Sequence, residues 1–150
     1  MKTNTPMPQC ACATARQVAR ILTQLYDRQL ESSGIEAAQF ALLAAVEIMG
    51  PCTQARLGQQ NALDKTTVSR NLKLLDRNGW IKSAIGDDKR HRQITLTSAG
   101  RKILANAKPA WHKTQTQLMS ALPPGQWNAF FRSLKSVAGA ASTLQHPSDR

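Results

Sequence analysis

The run LDKTTVSRNLKLLDRNG at residues 63–79 constrains the fold more tightly than any other stretch of the chain. Asp64 stands where a helix N-cap is needed, because its short carboxylate accepts from the free amides of a first turn. Val68, Leu72 and Leu75 then repeat along one helical face, and Gly79 supplies a residue suited to ending a helix. The spacing predicts a helix from Lys65 to about Asn78 with one buried side. Its outer side is left to Lys65, Thr66, Ser69, Arg70 and Lys73, all polar or cationic.

The flanking segments restrict the choice further. A short helix is expected from Gln54 to about Gln60, ending before Asn61 and Ala62. Beyond Gly79, residues 80–85 and 93–97 read as short strands around the tip GDDKRHR, with Gly86, Asp87 and Asp88 as turn formers. A short helix, a turn, a cationic helix and a charged hairpin, in that order, make a winged helix-turn-helix. The expected fold is therefore mainly α with a small β-hairpin wing.

Helices are also expected on both sides of this lobe. From about residue 11, Val18, Ile21, Leu22 and Leu25 form a stripe that ends at Ser32, Ser33 and Gly34, with Arg16, Arg20, Asp27 and Arg28 largely off it. AAQFALLAAVEIMG is apolar nearly all round and should be a buried helix closed by Gly50 and Pro51. After Thr97 a helix of some 25 residues carries Ile103, Leu104, Ala107, Trp111, Leu118 and Leu122, and Pro109 should interrupt and bend it. A last helix from near Pro124 carries Trp127, Phe130, Phe131, Leu134, Val137, Ala138 and Ala141, more large apolar residues than a terminal helix leaves unpartnered. Residues 1–9 should form a loose arm and QHPSDR a frayed tail. The 150 residues read as a single domain, with a winged helix-turn-helix lobe at about 36–97 and flanking helices at about 11–33 and 98–145.

Charge points to a polyanionic partner. The net charge is +11, and counting along the chain gives zero for residues 1–52, +6 for 53–101 and +5 for 102–150. The excess begins where the cationic helix and hairpin begin. There is no G-x-S-x-G or phosphate-binding glycine loop, and no pair of carboxylates suggests acid–base work, since Asp87 and Asp88 adjoin on an exposed tip, so an enzyme is not expected. No apolar run approaches the roughly 18–20 residues that span a bilayer, and the N-terminus lacks a secretory core, so a cytoplasmic protein away from membranes is expected. C-x-C plus Cys52 lacks zinc-ligand spacing and His91, His112 and His146 are scattered, so neither metal nor cofactor is expected.

The partner these features fit is double-stranded DNA. The N-terminal part of a recognition helix faces base edges in the major groove, which selects Lys65, Thr66, Thr67, Ser69 and Arg70, with Lys73 further along at a phosphate. The wing tip would send Arg90 or Arg92 into the adjacent minor groove, where a narrow A·T tract draws in arginine. Asp88, which phosphates repel, would pair with Arg90 and hold it in position. A non-specific architectural DNA or RNA binder is the competing class, although RNA modules present aromatic platforms and the aromatics here fall on helical core stripes.

LDKTTVSRNLKLLDRNGWI followed by DDKRHRQITLTSAG resembles the MarR family of winged helix-turn-helix regulators, through the wing pattern D-x-R at Asp88 and Arg90 and the run ending at Gly100. The resemblance covers nearly the whole chain. It implies a homodimer built from the first and last helices, a pseudo-palindromic site with half-sites about one helical turn apart, and repression relieved by a ligand or an oxidant. Cys12 sits at about the position of the sensing cysteine in the organic-hydroperoxide branch of the family. Tyr26 falls where that branch has one of two tyrosines, and Arg16 occupies the place of the other.

The residues leave two signals open. Cys10 and Cys12 lie at the entrance of the first helix, where the helix dipole and Arg16 favour a thiolate that oxidises and is captured by a second thiol. Equally, they are small residues at a loose helix start with no regulatory role. Cys52 reads as structural, with a resolving thiol as the alternative. The other signal is an aromatic carboxylate held bidentately by Arg16, with Tyr26 and Trp111 lining the cleft, against plain solvent-facing and core roles for these side chains.

Overall fold

The computed structural model describes residues 9–87 and 90–145. The expected arm at residues 1–8, the tail beyond Gln145, and Asp88 with its pairing to Arg90 lie outside the described residues. The elements are α1 (Ala11–Leu30), a 3₁₀ turn (Glu31–Ser33), α2 (Ala37–Met49), α3 (Gln54–Gln60), α4 (Lys65–Arg77), β1 (Ile81–Ile85), β2 (Arg92–Leu96), α5 (Ser98–Ser120) and α6 (Gln126–Gln145). The chain is mainly helical with one antiparallel hairpin, as the sequence predicts.

The residues through Trp111 form one compact unit and those from His112 another. The first has a continuous core. Leu43, Leu57, Leu75 and Leu104, from α2, α3, α4 and α5, are fully buried in it together with Leu30. Burying a leucine side chain contributes about 1.5–3 kcal/mol, so these five residues alone outweigh any surface ion pair in the lobe. α2 starts with a capping box, the Glu36 carboxylate accepting from the Gln39 amide and Gln39 Oε1 accepting from the Glu36 amide at 3.1 Å, and buries Phe40, Leu42, Leu43 and Val46. Its burial is incomplete, because Ile48 in the last turn points away from the core and is 83% exposed.

The hairpin pairs Ile81 with Leu96, Ser83 with Ile94 and Ile85 with Arg92. Opposed residues share a face, so Ile81, Ile94 and Leu96 dip into the core while Ile85 and Arg92 run beyond it. Cys52 adds a short third edge, its backbone exchanging two hydrogen bonds with Ile94 at 3.2 and 2.8 Å.

The root of the hairpin is fastened to both neighbouring helices. Gly79, at φ +73°, turns the chain out of α4. The Thr97 hydroxyl donates to the Gly79 carbonyl at 2.6 Å and accepts from the Gly100 amide at 3.0 Å, while the Thr97 amide donates to the Trp80 carbonyl at 3.0 Å. Thr97 thus caps α5 and ties it to the end of α4.

One helical expectation needs correction. Pro109 does not interrupt α5, which runs as a single helix from Ser98 to Ser120 with the proline on its exposed side. A proline removes one hydrogen bond, and the remaining bonds of a long helix carry it through. In α1 the apolar stripe is not buried within the chain: Val18 is 38% and Ile21 58% exposed, and Leu30 is the one buried residue. In the second unit no residue of α6 is fully buried, and Trp127, Ala129 and Phe130 are partly so. Trp127, Phe130 and Phe131 pack edge to face with centroids 5.0 and 5.3 Å apart, and every residue from Phe131 to Gln145 is exposed.

Candidate nucleic-acid interface

Helix α4 is anchored at its N-terminus by the residue the sequence singles out. Asp64 accepts from the Thr67 amide at 2.9 Å and from the Thr67 hydroxyl at 2.6 Å. Both bonds favour the ionised carboxylate and hold it below its ordinary pKa. Thr67 is thereby turned back to the cap, partly buried, rather than presented with the outer face. The turn before it puts Ala62 at φ +51°. That left-handed conformation costs a non-glycine residue roughly 1–2 kcal/mol, offset by bonds around it such as Asn61 Nδ2 to the Leu57 carbonyl at 2.8 Å.

On the outer face of α4, Lys65, Thr66, Ser69, Arg70 and Lys73 line one shallow groove of about 380 Å³. Its sixth member is Gln54, the first residue of α3, which the sequence reading missed. The signal was present: Thr53 is an N-cap residue, accepting from the Arg56 amide at 3.2 Å, and it fixes where α3 begins. Gln54 also lines the two neighbouring clefts, so it stands between α4 and the wing.

The wing residues divide by role. Arg92 is committed to the opposite strand: its Nε donates to Ser83 Oγ at 2.9 Å and its Nη2 to the Ser83 carbonyl at 2.7 Å. It faces a cleft with Ser69, Lys73 and Asp76 of α4 rather than projecting from the tip. Arg90, exposed, lines a second cleft of about 560 Å³ together with His91, Arg92, Lys65, Thr53 and Gln54. Asp87 lies on the other side of the hairpin, beside Lys82 and Gln93.

The candidate sensing residues are spread out. Cys10 and Cys12 are free and exposed at the start of α1, where Cys10 holds the N-cap position. Cys52 is free but buried at 1% exposure, and burial raises its thiol pKa against the opposing pull of Arg56. It fills the core side of the third edge. Arg16 is exposed, whereas Tyr26 is partly buried and its phenol is pushed up by desolvation. Ten residues of continuous helix separate the two, roughly 15 Å of rise, so one subunit does not bring them to a common ligand. Trp111 stacks on Phe40 with centroids 5.6 Å apart, as part of the core. A cleft of about 790 Å³ contains neither Arg16 nor Tyr26 and is lined by Asp27, Glu31 and Glu36 together with Arg28. With three carboxylates against one guanidinium, it does not favour a carboxylate ligand. Among the described residues no group of His, Cys, Asp or Glu is arranged to hold a metal, and no single helix is long and apolar enough to cross a membrane.

Residues 33–91 match the model described as MarR family. The chain is 33% identical over 104 residues to the uncharacterized HTH-type transcriptional regulator YwoH of Bacillus subtilis, covering 69% of this chain and 76% of that protein. It is similar to the crystal structure of the M. tuberculosis transcriptional regulator MosR in complex with DNA, at 34% identity and a TM-score of 0.83 over 91% of this chain and 98% of that one. A probable transcriptional regulator from Pseudomonas aeruginosa matches at 25% identity and a TM-score of 0.76, over 85% of this chain and 96% of that one.

Proposed function

Because the chain belongs to the MarR family of transcriptional regulators, we propose that it binds a pseudo-palindromic DNA site as a homodimer in the cytoplasm and represses the adjoining gene. The family makes it a regulator rather than an enzyme. The observation that carries the DNA reading is the continuous polar groove of α4, Lys65 to Lys73, flanked on the wing side by the cleft of Arg90 and Arg92. In this reading Lys65, Thr66, Ser69 and Arg70 meet base edges and Lys73 a phosphate. Thr67 supports them through Asp64, Arg92 stiffens the wing through Ser83, and Arg90 supplies the minor-groove contact.

Two substitutions separate these roles. Arg70→Ala is expected to relax sequence preference, costing about 1–3 kcal/mol on the preferred site and little on random duplex. Arg90→Ala is expected to weaken binding most on A·T-rich flanks. Fluorescence anisotropy at fixed salt on the protein's own upstream DNA and on random duplex reads both. Equal losses for both variants on both duplexes would return the protein to the class of non-specific architectural binders.

For the signal, the exposed thiols favour oxidation over a carboxylate ligand. A hydroperoxide would oxidise the Cys12 thiol to a sulfenic acid and leave as the alcohol; Cys10 would then displace water to give the disulfide. Residues two apart do not face each other on a helix, so closing that bond unwinds the first turn of α1. Buried Cys52 takes no part. An organic hydroperoxide is expected to release the wild type from DNA and to leave Cys12→Ser bound. Release of both proteins would clear Cys12 of the role, and retention of both would make the thiols bystanders.

A further inference from the structure

The cleft between the start of α4 and the wing contains one titratable group with no place in the reading above. His91 is exposed and lines it with Lys65, Arg90 and Arg92. On the opposite wall, Thr53 and the α3 residues Gln54, Ala55 and Gly58 carry no charge, and of the α4 residues Lys65 and Val68 only Lys65 is charged. Asp87 is turned to the other face of the hairpin, so no described carboxylate lines this cleft. Its uncharged polar groups, the Thr53 hydroxyl and the Gln54 amide, suit a tetrahedral anion's oxygens.

We infer that this cleft seats a backbone phosphate of the bound duplex and that His91 engages it as the imidazolium, so that each subunit takes up a proton when it binds DNA. The inference rests on the DNA-binding reading and adds a residue and a linkage to it. A phosphate in the cleft adds an acceptor for a ring N–H and favours the charged form of the ring. The sign follows from the direction of the change. A group whose pKa rises on binding contributes affinity that is fully present at low pH and is lost as the pH rises through its bound-state value. Histidine places that window between about pH 5 and 8.

A phosphate contact does not depend on base sequence, so a labelled random-sequence duplex is a sufficient probe. Affinity at fixed ionic strength should be roughly tenfold higher at pH 6 than at pH 8 for the wild type. His91→Asn should bind nearly equally at both pH values, at the wild type's weaker level. His91→Lys should bind tightly at both, since its charge persists. The exposed position of His91 lets both variants fold, which thermal melts verify. A flat wild-type profile overturns the inference while the DNA reading stands. An unchanged pH dependence in His91→Asn overturns it too and moves the linkage to another group. Absence of DNA binding by all three proteins at both pH values overturns the inference and the reading beneath it together.

Discussion

Gly100→Ala is expected to destabilise the protein by about 3 kcal/mol or more, the upper end of what overpacking costs. A Cβ at this position would lie 1.9 Å from the Trp80 carbonyl oxygen and 2.8 Å from its carbon. These are backbone atoms, so no rotamer change relieves the clash. The same carbonyl accepts from the Thr97 amide, and Gly100 itself donates to Thr97. Movement of either chain therefore breaks the cap of α5 or its tie to the end of α4. Against a typical total of roughly 5–15 kcal/mol, a loss of this size lowers the melting temperature by about 10 °C. A variant that melts within a degree or two of the wild type would show that the root of the wing yields easily.

Leu134→Asp in α6 is expected to abolish dimerisation and, with it, most DNA affinity. Phe131, Leu134 and Val137 recur every third residue and are 41%, 47% and 57% exposed, and Leu144 further along is 82% exposed. A lone helix of this length is marginal in water, and its stability comes from packing an apolar face. The proposed partner is the same face of a second copy, with the exposed Val18 and Ile21 of α1 a further apolar surface for it. A carboxylate in such a contact is buried without a partner and strongly disfavours it. Two linked half-site contacts exceed one by a factor of about 10²–10⁴, so the monomer should lose affinity on that scale while α4 and the wing remain folded. Sedimentation equilibrium gives the mass, and anisotropy on the same sample gives the affinity. A wild type that sediments as a monomer at micromolar concentration would end the proposal, as would a variant that stays dimeric.

The parts of the fold legible in the sequence are those specified by neighbours in the chain. Asp64, Val68, Leu72, Leu75 and Gly79 lie within one element and its caps, so periodicity and capping chemistry suffice to place α4. Alternation places the hairpin in the same way. What escaped depends on pairs that folding brings together. Arg92 and Ser83 meet because the register sets Arg92 opposite Ile85, one diagonal step away, and no local pattern states which strand residue a wing arginine will bond. Thr67 sits among the outward residues by position, yet its hydroxyl reaches back to the cap. The exposed stripe of α1 reads the same in sequence whether its partner is the same chain or another. Gln54 was missed because a single polar residue at the start of a short helix acquires meaning only from the clefts around it.

The fastening of Thr97 to Gly79 and Trp80 closes the hairpin at its base, through residues 18 positions apart. The turn at the tip therefore does not have to hold the strands in register, and its composition is released from the demands of folding. Lengthening a loop already closed elsewhere is inexpensive, about 0.6 kcal/mol for each doubling. Tip sequences of different length and charge should therefore be exchangeable on this base, leaving α4 and the start of α5 undisturbed.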